Sequence, residues 1–120
     1  MKFVILEPDP IVMMDLQGLL QERFAGAHLV AGATWTDVAA AIRSSDEASA
    51  IIVRGSLIAA DPDLQAELHA RAVRRTRIMV IGPATDFGFP AVFVDLPFST
   101  EILIEALRSG SGEGGIRITP

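Results

Sequence analysis

The sequence predicts a three-layer α/β domain around a parallel sheet, and two observations carry that prediction. Five short runs, FVIL (3–6), HLVAGA (28–33), AIIV (50–53), IMVI (78–81) and AVFV (91–94), are continuously apolar rather than alternating. Such runs suit strands covered on both faces. Helical patterns separate the first four runs and follow the fifth. Alternation of this kind implies right-handed crossovers around a buried sheet.

The helices are read from spacing and caps. In 10–24, Val12, Leu16, Leu19 and Leu20 recur at helical intervals, with Asp9 as N-cap and Pro10 at the first helical position. In 36–45, Val38 and Ile42 face inward behind a Thr34 or Thr36 cap. In 61–75, Asp61 caps, Pro62 follows, and Leu64, Leu68 and Ala72 form the stripe. In 99–109, Ser99 or Thr100 caps, and Ile102, Leu103, Ala106 and Leu107 face the sheet. One connection breaks the pattern. Only GPATDFGFP (82–90) separates strands four and five, whereas a parallel crossover normally takes roughly a dozen residues. The helix there is expected to be shortened or missing.

The chain has 120 residues, the size of one compact domain, and half of them are hydrophobic. The domain is expected over 1–109, followed by a flexible glycine-rich tail over 110–120, in which IRIT (116–119) has the alternative of adding to a sheet edge. Within that tail, GSGEGG superficially looks like a dinucleotide fingerprint, but it follows a helix instead of linking a strand to one. With no cysteine, disulfides and thiolate metal sites are excluded. A net charge of −5 gives nucleic-acid binding little electrostatic support. Arg71, Arg74, Arg75 and Arg77 read as a solvated helix end. No apolar run approaches the ~18 residues of a membrane span. MKFVILEPD reads as a first strand, not a signal peptide, so a cytoplasmic protein without a membrane partner is expected.

In open α/β sheets, sites form beyond the carboxyl ends of the strands. Those ends carry Glu7, Pro8 and Asp9; Arg54, Gly55 and Ser56; Gly82 and Pro83; and Asp95, Leu96, Pro97 and Phe98. Arg54 stands out. It closes the apolar run in AIIVRGSL, and a guanidinium there needs a partner. Glu7 on the neighbouring strand is the expected one, with Asp9 within possible reach.

Taken together, residues 2–109 resemble the receiver domain of bacterial two-component response regulators. FVILEPDPIVMMDLQGLL is similar to the receiver opening, in which two adjacent acids end strand one. AIIVRGSL resembles the third strand, which carries the phospho-accepting aspartate. VDLPFSTEILIEAL resembles the ending in which lysine–proline–phenylalanine leads into the last helix. The resemblance implies a flavodoxin-like, doubly wound five-stranded sheet in the order 2-1-3-4-5.

The departures from that pattern decide the functional expectation. Arg54 stands where the family has its nucleophilic aspartate, and Pro8 where it has the second acid. Gly82 replaces the Ser or Thr after strand four, and Leu96 replaces the lysine. Aspartyl phosphorylation needs a carboxylate nucleophile, a hard cation on oxygen ligands and cations at the phosphoryl oxygens. This degenerate pocket is expected to lack all three, with no metal and no cofactor.

The expected function is therefore a receiver-like signalling module that works through protein–protein contact without phosphorylation. Phe87, Phe89, Val92 and Phe98 are the expected interaction surface, left open by the missing helix. A homodimer through the strand 4–5 and last-helix face is the specific expectation, with another signalling protein as the other partner. The alternative is a sensor of a small molecule or phosphate-bearing ligand, bound by Arg54 and the amides of Gly55 and Ser56. An enzyme is not expected. Ser56 with Glu7 or Asp95 is the one candidate constellation, and no histidine is placed to assist. His28 and His69 lie apart, Trp35 reads as a cover for the sheet end, and one of Met13 and Met14 is expected to face outward.

Overall fold

A computed structural model of the chain describes residues 1–96, 100–109 and 116–118. The elements run β1 (Lys2–Leu6), α1 (Pro10–Arg23), β2 (His28–Gly32), α2 (Trp35–Arg43), β3 (Ser49–Arg54), α3 (Gly55–Ala60), α4 (Pro62–Val73), β4 (Arg77–Ile81), β5 (Val92–Val94), α5 (Thr100–Ser109) and β6 (Ile116–Ile118). The first five strands lie in the order 2-1-3-4-5, all parallel, as in flavodoxin-like folds. The sixth strand adds to β5, also parallel, so part of the segment expected as a free tail extends the sheet.

The continuous apolar runs are explained by two cores, one on each face of the sheet. Val4, Leu6, Ile51, Val53, Ile78, Val80 and Phe93 point to the layer holding α2, α3 and α4. Phe3, Ile5, Ala50, Ile52, Met79, Ile81, Val92 and Val94 point to the layer of α1 and α5. Successive side chains on a strand alternate faces, so both sets must be apolar. Phe3 meets Phe24 at the end of α1 with ring centroids 5.0 Å apart.

The expected caps hold. Asp9 Oδ1 accepts from the N–H groups of Ile11 and Val12, and Asp61 Oδ1 from those of Asp63 and Leu64. At α2 the Asp37 carboxylate accepts from the Thr34 N–H at 3.2 Å. Met14 faces outward while Met13 packs on the core, as the spacing required. Ser99 lies outside the described residues. α3 was not expected. Asp61 both ends α3 and caps α4, so two helices replace one in that connection.

The α2 C-terminus gathers cations that orphan carbonyls require. Lys2 Nζ donates to Ala41 O at 3.0 Å, and Arg71 Nη1 donates to Arg43 O at 2.8 Å and to Ser45 O at 3.3 Å. Arg71 is thus a clamp between α4 and α2, whereas the arginine cluster was expected to be solvated.

No helix forms between β4 and β5, as expected, and the loop does what a helix would have done. Ten residues can span about 33 Å when extended, enough to run back along a strand. Phe87 and Phe89 turn inward and stack around Phe93 and each other, with centroids 6.1 and 6.2 Å apart from Phe87. Both rings are buried, as is Val92. This corrects the expectation of an open apolar surface at Phe87, Phe89 and Val92; Phe98 lies outside the described residues. Gly88 makes the reversal between the two rings at φ +86°, where a side chain would be strained. Its N–H is held by Asp86 Oδ1, and α4 pins the loop through Gln65 Nε2 to Phe87 O (2.7 Å) and His69 Nδ1 to Gly88 O (2.9 Å).

Because Phe87 belongs to the core, Phe87→Ala is expected to lower unfolding free energy by about 3 kcal/mol or more. Urea denaturation checks this. A loss below ~1 kcal/mol would place the ring outside the core, as in an exposed surface.

Candidate functional site

The β1 and β3 ladders bring Glu7 and Arg54 side by side. Leu6 pairs with Val53, so Glu7 and Arg54 follow at the same level on neighbouring strands. Glu7 still extends β1, since its N–H donates to Gly32 O at 3.1 Å. Its side chain is fully buried, while that of Arg54 keeps 24 % exposure. Arg54 Nε donates to Glu7 Oε1 at 2.8 Å. The Asp9 backbone N–H donates to Glu7 Oε2, also at 2.8 Å.

Each Glu7 oxygen therefore has a donor of its own, which is what a carboxylate removed from water needs. The pair is monodentate through Nε rather than a two-bond fork. The carboxylate of Asp9 is not part of it; Asp9 contributes its backbone N–H and turns its side chain to the α1 N-terminus. Among the described residues, Glu7 is the ion-pair partner of Arg54.

The remaining strand-end residues contribute little to a polar pocket. Pro8 is exposed and has no side-chain oxygen. Gly82 has φ +141°, a conformation that L side chains rarely adopt, and its N–H donates to Val94 O at 3.0 Å. A serine or threonine at 82 would thus be strained. Leu96 is 39 % exposed. A hard cation held as in receiver domains does not fit these residues. Of the oxygen ligands at the end of β1, Glu7 is committed to Arg54, Pro8 offers none and Asp9 caps α1.

For an anion at Arg54, Gly55 and Ser56, Arg54 keeps its Nη groups, since only Nε is committed to Glu7; Gly55 is buried, however, and α3 is six residues long, so few peptide dipoles add at its start. Ser56 is exposed, and Glu7, one of its two candidate bases beside Asp95, has both oxygens engaged. His69 is tied to the 82–91 loop, and His28 lies at the opposite, N-terminal edge of the sheet. Trp35 opens α2 with the Arg43 guanidinium 5.4 Å from its ring centroid, and Arg43 in turn pairs with Glu67 at 3.2 Å. Sequence reasoning did not find this Trp35–Arg43–Glu67 group, because its members are spread over two helices.

Compared with family models, curated proteins and solved structures, the chain matches none. The strand order shows a flavodoxin-like α/β fold. No helix among the described residues is long and apolar enough to cross a membrane.

Arg54→Ala leaves a buried carboxylate with one donor. It is expected to destabilise the domain by about 3 kcal/mol, read from the urea midpoint. Gly82→Ala is expected to lose about 1 kcal/mol or more from backbone strain alone, since no atom crowds a Cβ there. A wild-type midpoint for either variant contradicts the corresponding account.

Proposed function

We propose that this chain is a receiver-like signalling module that acts through protein–protein contact and is not switched by aspartyl phosphorylation. The observation that carries the reading is the Arg54–Glu7 pair at 2.8 Å. In the receiver comparison, Arg54 takes the place of the nucleophile. An arginine stays protonated at neutral pH and cannot accept a phosphoryl group. Its charge also falls where a divalent cation would be needed, and it engages the buried acid that would help to hold that cation. The module is accordingly read as non-enzymatic and in need of no cofactor.

A partner surface must be sought away from the aromatic loop. Self-association through β4, β5 and α5 would have to use residues other than Phe87, Phe89 and Val92, because those are core. The outer face of α1 instead exposes Ile11 (70 %) and Met14 (71 %), one turn apart. Adjacent exposed apolar side chains of this kind favour a protein contact.

Incubation with acetyl phosphate, or with beryllofluoride and Mg²⁺, is expected to give neither a phosphoryl adduct by mass spectrometry nor a Mg²⁺-dependent spectral change. Arg54→Asp is expected to stay unmodified as well, since Pro8, Gly82 and Leu96 still lack the supporting groups. An adduct on the wild-type chain would overturn the reading.

A further inference from the structure

A cavity of about 220 Å³ lies at the carboxyl end of β1, on the sheet face that carries α2, α3 and α4. Its apolar lining includes Leu6 from β1, Trp35 from α2, Leu57 from α3 and Leu64 from α4. Asp61 and Ala60 stand at the α3–α4 junction beside them. Neither member of the Glu7–Arg54 pair lines it, so the cavity is a feature separate from the degenerate pocket.

The cavity lies beyond the carboxyl end of β1, between the start of α2 and the α3–α4 junction, and beside the switch point where β1 and β3 diverge. Ligands of open α/β sheets gather at the carboxyl ends of the strands. Apolar walls with a small number of placed polar groups are the usual composition of such sites.

We propose that this cavity binds a small aromatic amine, with its ring against Trp35 and Leu57 and its ammonium on Asp61. Size sets the first limit. A cavity of about 150 Å³ lined by apolar side chains holds benzene. The larger volume here admits one six-membered ring with a short side chain. Asp61 sets the sign of charge. Its Oδ1 is spent on capping α4, accepting from Asp63 N at 3.0 Å and Leu64 N at 3.2 Å. Its Oδ2 takes no hydrogen bond among the described residues, and so is left for a donor. The nearby cation, Arg43, is already paired with Glu67.

Trp35 is the single tryptophan of a chain without tyrosine, so its fluorescence reports this site directly. Three probes of one shape and different charge are titrated: 2-phenylethylamine, 2-phenylethanol and phenylacetate. The amine is expected to change Trp35 emission saturably in the millimolar range usual for so small a ligand. The alcohol is expected to bind about tenfold more weakly, the difference a charged hydrogen bond makes, and phenylacetate not measurably. Asp61→Asn keeps a good N-cap and is expected to bring the amine down to the level of the alcohol. Ala60→Leu, at an exposed α3 position, is expected to abolish the response by filling the mouth. The proposal is overturned if the amine gives no saturable signal, or if the three probes bind alike. It is equally overturned if Asp61→Asn leaves the amine preference intact, or if Ala60→Leu leaves the response unchanged.

Discussion

A carboxylate with no exposure at the end of a central strand is the constraint on which the upper rim of this sheet depends. Glu7 cannot be left without donors, because burying an unpaired charge carries a penalty of several kcal/mol. Two donors meet it, the Arg54 guanidinium from β3 and the Asp9 N–H from the turn into α1. The arrangement ties β1, β3 and the start of α1 at one point. It also fixes what that point can do chemically, since the acid is neutralised by a cation that never deprotonates. A buried acid becomes one half of an internally balanced pair.

The second constraint is coverage of the sheet. Parallel strands need both faces buried. α2, α3 and α4 cover one face only as far as β4, and no helix follows to extend that layer over β5. The 82–91 loop covers that region with Phe87 and Phe89, stacked on Phe93 and anchored to α4 through Gln65 and His69. Two aromatic rings bury as much apolar area as one side of a short helix, at the cost of backbone groups that need individual partners. Gln65, His69 and Asp86 supply them. The space that a helix would fill is therefore taken by a packed aromatic plug held to α4.

Much of this architecture was legible in the sequence. Leu16 and Leu20, Val38 and Ile42, and Leu64 and Leu68 sit at helical intervals behind cap residues, and buried strands announce themselves as unbroken apolar runs. The Glu7–Arg54 pair followed from asking which acid could neutralise a charge at a strand end. What escaped were features decided by tertiary contact. The six residues of α3 make fewer than two turns, too few for a repeating apolar stripe. Ile116–Ile118 is β-prone and readable as an edge strand, but three residues after a glycine-rich stretch do not separate a strand from a tail, and pairing with β5 decides it. Phe87 and Phe89 gave no sign of direction, since an aromatic residue in a glycine- and proline-rich loop can face either way. Arg71 looked like its neighbours Arg74 and Arg75 until α2 ended within its reach.

The central claim is that Glu7 and Arg54 act as one unit, so a double-mutant cycle tests it most directly. Glu7→Gln, Arg54→Met and the double variant are compared with the wild type by urea denaturation. If the pair closes the pocket, the two single losses will exceed the double loss, giving a coupling of about 1.5 kcal/mol or more. Additive losses, within about 0.3 kcal/mol, would mean that the two side chains are independent and that Arg54 stands at the strand end for another reason.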